Sequence, residues 1–111
     1  MKAFPSRLAV VFLITAVTSQ AADVVIHQKN NKFEPGTVSA KLGDTLVFVN
    51  DEKNETHNVY SMSKDNNVES QMQKPGEKMV VALDPSKHKV GTMEIKCAVH
   101  PGMTLKVNII K

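Results

Sequence analysis

Beyond its first twenty or so residues the chain alternates apolar and polar side chains in short runs, with turn residues between them and no helical repeat. Period-two alternation marks strands buried on one face. Residues 24–28 open the series. Residues 37–42 put Val38, Ala40 and Leu42 on one face, and residues 45–50 (TLVFVN) read as a central strand. A charged loop with Asp51, Glu52 and Glu55 leads into a strand over residues 56–62. Residues 78–83 align Met79, Val81 and Leu83, and residues 104–111 align Leu105, Val107 and Ile109. Pro35-Gly36, Gly43-Asp44, Pro75-Gly76 and Asp84-Pro85 punctuate these runs. Residues 63–74 (SKDNNVESQMQK) are polar and predict an irregular stretch with a short helical turn. The pattern predicts an all-β fold, a Greek-key β-sandwich of seven to eight antiparallel strands.

The strand before the last carries the most chemistry. In residues 91–97 (GTMEIKC) the apolar face holds Met93, Ile95 and Cys97, so the thiol points into one end of the core. Cys97-Ala98-Val99-His100-Pro101-Gly102-Met103 follows, placing a thiol, an imidazole and a thioether in one tight loop between neighbouring strands. His57, 40 residues upstream at the start of another strand, adds a second imidazole. Two nitrogens, a thiolate and a weak axial thioether form the donor set of a blue-copper electron-transfer site. His57, Cys97, His100 and Met103 are the expected ligands of one type 1 copper ion. Cu(I) favours soft sulfur and Cu(II) favours nitrogen, so this mixture held rigidly needs little rearrangement between the two states. Taken singly, Cys97 reads as a small core hydrophobe, His57 as a surface residue and Met103 as core filler. Their conjunction, with no other cysteine to form a disulfide, favours metal.

Asn58, next to His57, either tunes the thiolate through a hydrogen bond or faces solvent. His27 and His88 lie outside the pattern and read as surface residues. Met79 and Met93 fit inner faces, which leaves Met62 and Met72 as exposed thioethers. Asp51, Glu52 and Glu55 read as a solvated loop.

The N-terminus reads as a secretory signal: Lys2 and Arg7, an apolar run over residues 8–17, then small residues before cleavage after Ala21. The expected division is a signal peptide, residues 1–21, and a copper-binding domain, residues 22–111. Cleavage takes two basic and no acidic side chains away, so the formal charge falls from +3 to 12 basic against 11 acidic groups. No basic run with interleaved aromatics supports nucleic-acid binding. With no second apolar segment, the mature domain is expected to be soluble and outside the membrane; it is also expected to be a monomer. One cysteine excludes a binuclear copper centre with two bridging thiolates. Lys96 and Ala98 beside it exclude the His-Cys-His run of a multicopper oxidase. A filled coordination shell leaves no open position for catalysis, so no enzyme activity is expected.

On these residues the chain resembles the cupredoxins, and most closely the plastocyanin and amicyanin group. Phe33-Glu34-Pro35, Val38 and Gly43-Asp44-Thr45 are similar to that family's opening strands, and Asn50 with His57-Asn58-Val59 to its first-histidine segment. Pro75-Gly76-Glu77 is similar to its mid-chain turn, and residues 97–103 to its ligand loop, in the short amicyanin spacing. The resemblance implies an eight-stranded sandwich with one copper that shuttles single electrons in the periplasm. It also implies an electron port at the exposed edge of His100, among Val99, Pro101 and Gly102. Transient redox partners such as a cytochrome c or a periplasmic dehydrogenase follow from it. A copper carrier or copper-tolerance protein on the same fold is the alternative. Lys96 stands where the family commonly has an aromatic residue, and Thr56 where it often has proline.

Overall fold

A computed structural model describes residues 20–111; residues 1–19, with the apolar run of the expected signal, lie outside the described residues. Among the described residues nine strands form two packed sheets. One sheet has the order β2-β1-β4-β7, from β1 (Asp23–Lys29), β2 (Lys32–Glu34), β4 (Thr45–Asn50) and β7 (Lys78–Ala82). The other has the order β3-β9-β8-β5-β6, from β3 (Thr37–Lys41), β5 (His57–Ser63), β6 (Asn66–Gln73), β8 (Gly91–Lys96) and β9 (Thr104–Ile110).

The sheets are mixed, where the alternation alone predicts antiparallel pairing. The β1–β2 hairpin belongs to one sheet, β3 crosses to the other and β4 returns, so β4 runs parallel to β1 and β3 runs parallel to β9. Two short or unpatterned strands explain the excess over the expected seven to eight. The three-residue β2 is too short to show a period. β6 occupies the stretch predicted to be irregular, and as an edge strand it exposes nearly every residue between Asn66 and Gln73. With no buried face it carries no alternation, and its pairing to β5 alone makes it a strand.

Inner-face residues meet as the alternation predicts. Ile26, Leu46, Phe48, Val59, Met93, Ile95, Leu105, Val107 and Ile109 form a continuous core, and Cys97 and Met103 close it at one end. Phe48 packs edge-on against Phe33, with ring centroids 6.0 Å apart. Met79 and Met93 are core residues, while Met62 and Met72 face solvent.

His88 is not on the surface. It lies buried in the loop before β8, at the end of that strand opposite Cys97, and its Nδ1 has no hydrogen-bond partner. Burial pushes its pKa below the ordinary 6.5; Asp84 pulls upward and Lys87 pushes further down. The unfolded chain therefore binds a proton that the fold resists. His88 supports stability above pH 6.5, and that support is lost as pH falls from there through the folded-state value. Melting of the metal-free protein between about pH 7.5 and about pH 5.5 should show a slope that His88→Gln reduces. An unchanged slope in the variant would remove His88 from this account.

Candidate metal centre

The chain builds this centre from two Pro-Gly turns and one hairpin. In His100-Pro101-Gly102-Met103 the Met103 N–H donates to the His100 carbonyl at 3.0 Å, and Gly102 takes φ +91°. Proline at the second position and a left-handed glycine at the third define a type II turn. The Cys97 N–H donates to the Met103 carbonyl at 3.3 Å and closes the loop into a ring. The turn thus brings His100 back beside Cys97 and delivers Met103, buried, to the end of the core.

His57 enters from β5, fully buried. His57 Nδ1 lies 3.2 Å from His100 Nδ1, and Cys97 Sγ lies 3.9 Å and 3.7 Å from the two. The nearest point equidistant from those three atoms is about 2.1 Å from each, a metal–imidazole bond length and about 0.2 Å short of a zinc–thiolate one. Among the described residues these are the three whose ligand atoms gather in this way. The donor chemistry fits copper: two imidazole nitrogens and one soft sulfur, with a buried methionine at the adjoining turn.

Each histidine presents Nδ1 to the cluster and turns Nε2 to a carboxylate. Glu52 Oε2 lies 2.9 Å from His57 Nε2, and Glu55 Oε2 lies 3.3 Å from His100 Nε2. A carboxylate on the far nitrogen fixes the imidazole tautomer and the direction of its ligating lone pair. Glu52 is therefore a supporting residue, not part of a freely solvated loop. The β1–β2 hairpin holds it: Asn30 and Asn31 both have positive φ, and their N–H groups donate to the two Glu52 oxygens at 2.8 Å and 3.3 Å. Two such residues form the tight hairpin turn that matches strand twist. Burial alone raises the Glu52 pKa, but the hydrogen bonds from His57 and from these two N–H groups outweigh it and leave it below the usual range. A signal for this was present in Asn30-Asn31, a two-residue turn between short strands.

Asn50 fixes the same loop from beneath. Its side-chain amide donates to the carbonyls of Glu55 and Gln73, and its Oδ1 accepts from the Glu52 N–H. The Lys74-Pro75-Gly76-Glu77 turn, also type II with Gly76 at φ +82°, clips onto the Asn50 backbone in both directions.

Asn58 takes the tuning role that its sequence position left open. Its N–H donates to Cys97 Sγ at 3.2 Å, and its Oδ1 accepts from the Ala98 N–H at 3.1 Å. The side chain is buried and its amide nitrogen is held by Ser70 Oγ and the Gln71 carbonyl on β6. Lys96, one residue before the thiol, points outward and pairs with Glu94. His27 is exposed and pairs with Asp51, away from the donor cluster.

The family model of copper binding proteins, plastocyanin/azurin family, matches residues 20–110. The chain belongs to this family. Its structure superimposes on a substituted Cu(I) amicyanin with a TM-score of 0.68 and 23% identity, covering 79% of this chain and 82% of that one. A reduced amicyanin mutant gives a TM-score of 0.68 and 24% identity over 86% of this chain and 87% of the other. A copper-containing nitrite reductase from Thermus scotoductus SA-01 contains a similar unit, with a TM-score of 0.65 and 19% identity over 80% of this chain and 22% of that one. No curated protein sequence matches the chain. The cupredoxin sandwich is thereby the fold of this chain, and copper is its cofactor.

Proposed function

We propose that this cupredoxin is an exported, monomeric carrier of single electrons, with residues 1–21 as its secretory signal and the periplasm as its compartment. His57, Cys97, His100 and Met103 hold one type 1 copper. The observation that carries the reading is the union of a buried, prearranged donor triangle with one ring edge reaching solvent: the His57 side chain is 0% exposed and that of His100 is 21% exposed. Copper supplies the Cu(I)/Cu(II) couple when bound. The chain's own residues do the rest. Cys97 and the two Nδ1 atoms are set by the sandwich and the closed loop, so the donors keep their positions in both oxidation states. Asn58 fixes the charge on sulfur with its N–H. His100 provides the outlet, and the neutral Val99, Pro101 and Gly102 around it suit a contact that forms and dissolves quickly. Four donors fill the shell of one copper ion and leave no position for a substrate, which favours a carrier over an enzyme.

Metal delivery on the same fold is less well served, because His57, Cys97 and Met103 are buried at one end of the core and resist handing over their ion. With one equivalent of copper the purified mature protein should show an intense visible thiolate charge-transfer band, a reversible one-electron couple and rapid self-exchange. Slow exchange combined with ready loss of copper to a metal-free acceptor would reject electron carriage in favour of metal transport.

A further inference from the structure

The loop between β4 and β5 carries three carboxylates, and two are engaged. Asp51 pairs with His27, and Glu52 serves His57 and the hairpin turn. Glu55 is different. Its side chain is 53% exposed, yet its Oε2 stands 3.3 Å from Nε2 on the outward edge of His100. Val99, Pro101 and Gly102, the exposed neighbours of that edge, are uncharged. Among the described residues no lysine or arginine pairs with the Glu55 carboxylate; Lys53 in the same loop is exposed and makes no ion pair. A negative charge with no lysine or arginine partner thus sits beside the uncharged Val99, Pro101 and Gly102, over the ring that serves as the electron outlet.

We propose that Glu55 makes this face selective for a redox protein whose own cofactor edge is ringed by lysine or arginine side chains. The inference rests on His100 being the electron outlet. Charge at a contact rim governs encounter and partner choice more than final affinity. A partner cation drawn to Glu55 is brought within reach of the His100 edge, and an anionic surface is held off it.

Small redox complexes of opposite charge test this without knowledge of the natural partner. The Cu(I) protein is titrated with hexaamminecobalt(III), a trication, and with hexacyanocobaltate(III), a trianion, while backbone amides are followed by NMR. The trication should move the amides of Glu55, Thr56, Val99 and His100, the trianion should not, and Glu55→Gln should weaken the trication response about three- to tenfold at low ionic strength. Kinetics gives a second reading, with one electron passing from Cu(I) to the oxidant's metal, Co(III) or Fe(III). Glu55→Gln should slow oxidation by tris(phenanthroline)cobalt(III) and speed oxidation by hexacyanoferrate(III), both effects fading in about 0.5 M salt. Glu69→Gln, an equal change of net charge on exposed β6, should alter neither. The proposal is overturned if the two variants behave alike, or if Glu55→Gln moves both oxidants in the same direction. Should the unaltered Cu(I) protein react with neither oxidant, the electron-carrier reading fails, and the selectivity of Glu55 falls with it.

Discussion

Replacement of Cys97 by serine is expected to abolish the visible charge-transfer band and to weaken copper binding by at least about a hundredfold. A serine hydroxyl stays protonated where a thiol ionises, and its hard oxygen offers no soft, polarisable lone pair to Cu(I). Loss of a mere supporting partner of a ligand costs about 10- to 100-fold in affinity, so loss of the strongest ligand must exceed that range. The geometry sharpens the expectation. Sγ is the one non-nitrogen corner of the triangle, at 3.9 Å and 3.7 Å from the two Nδ1 atoms. Serine leaves two imidazoles and a thioether, which cannot produce a thiolate band. The metal-free fold should survive, because the Asn58 N–H that donates to sulfur finds an oxygen in its place. Comparable melting of the two metal-free proteins, combined with a colourless copper form of the variant, is the expected outcome. A variant that keeps the band would overturn the assignment of Cys97.

The gathering of His57, Cys97 and His100 was legible because chemistry and spacing coincide there. Cys97 and His100 lie in one loop whose Pro-Gly pair dictates a type II turn, so their approach, with Met103 buried at its end, follows from local rules. His57 required only that its strand neighbour that of Cys97, as the β5–β8 pairing provides. The sandwich was legible for the same reason: strands with one buried face write their period into the sequence. What stayed hidden depends on contacts between segments remote in sequence. Glu52 looks like any acid in a polar loop until the β1–β2 hairpin and His57 are brought to it from either side. His88 looks like a loop histidine among lysines, and its burial depends on how that loop folds against the open side of the sandwich between β6 and β7. β6 has no amphipathic period at all. A strand defined only by its backbone partner leaves no mark that periodicity can detect.

Phe48→Ala should bring the metal-free protein close to its unfolding limit, and copper should restore much of what is lost. Phe48 is fully buried at the centre of β4, with Ile26 and Met79 beside it on the flanking strands and Phe33 edge-on against it. Truncating a buried phenylalanine costs about 3–5 kcal/mol, in part because the cavity cannot collapse. A domain of this size commands roughly 5–10 kcal/mol in total. No disulfide reinforces it, since Cys97 is the sole cysteine. The melting midpoint without metal should therefore fall by roughly 15–30 °C. The donors link β5 with the loop between β8 and β9, and metal binds only where that arrangement exists, so saturating copper stabilises the folded state in proportion to the logarithm of its excess over Kd. Phe48 supplies no donor atom and its ring packs edge-on against Phe33, so the visible spectrum of the refolded copper form should match that of the unaltered protein. If copper fails to raise the variant's midpoint, metal binding is not coupled to this fold. If the spectrum shifts as well, the core and the centre are mechanically continuous to a degree that the hydrogen bonds of Asn50 and Asn58 do not explain.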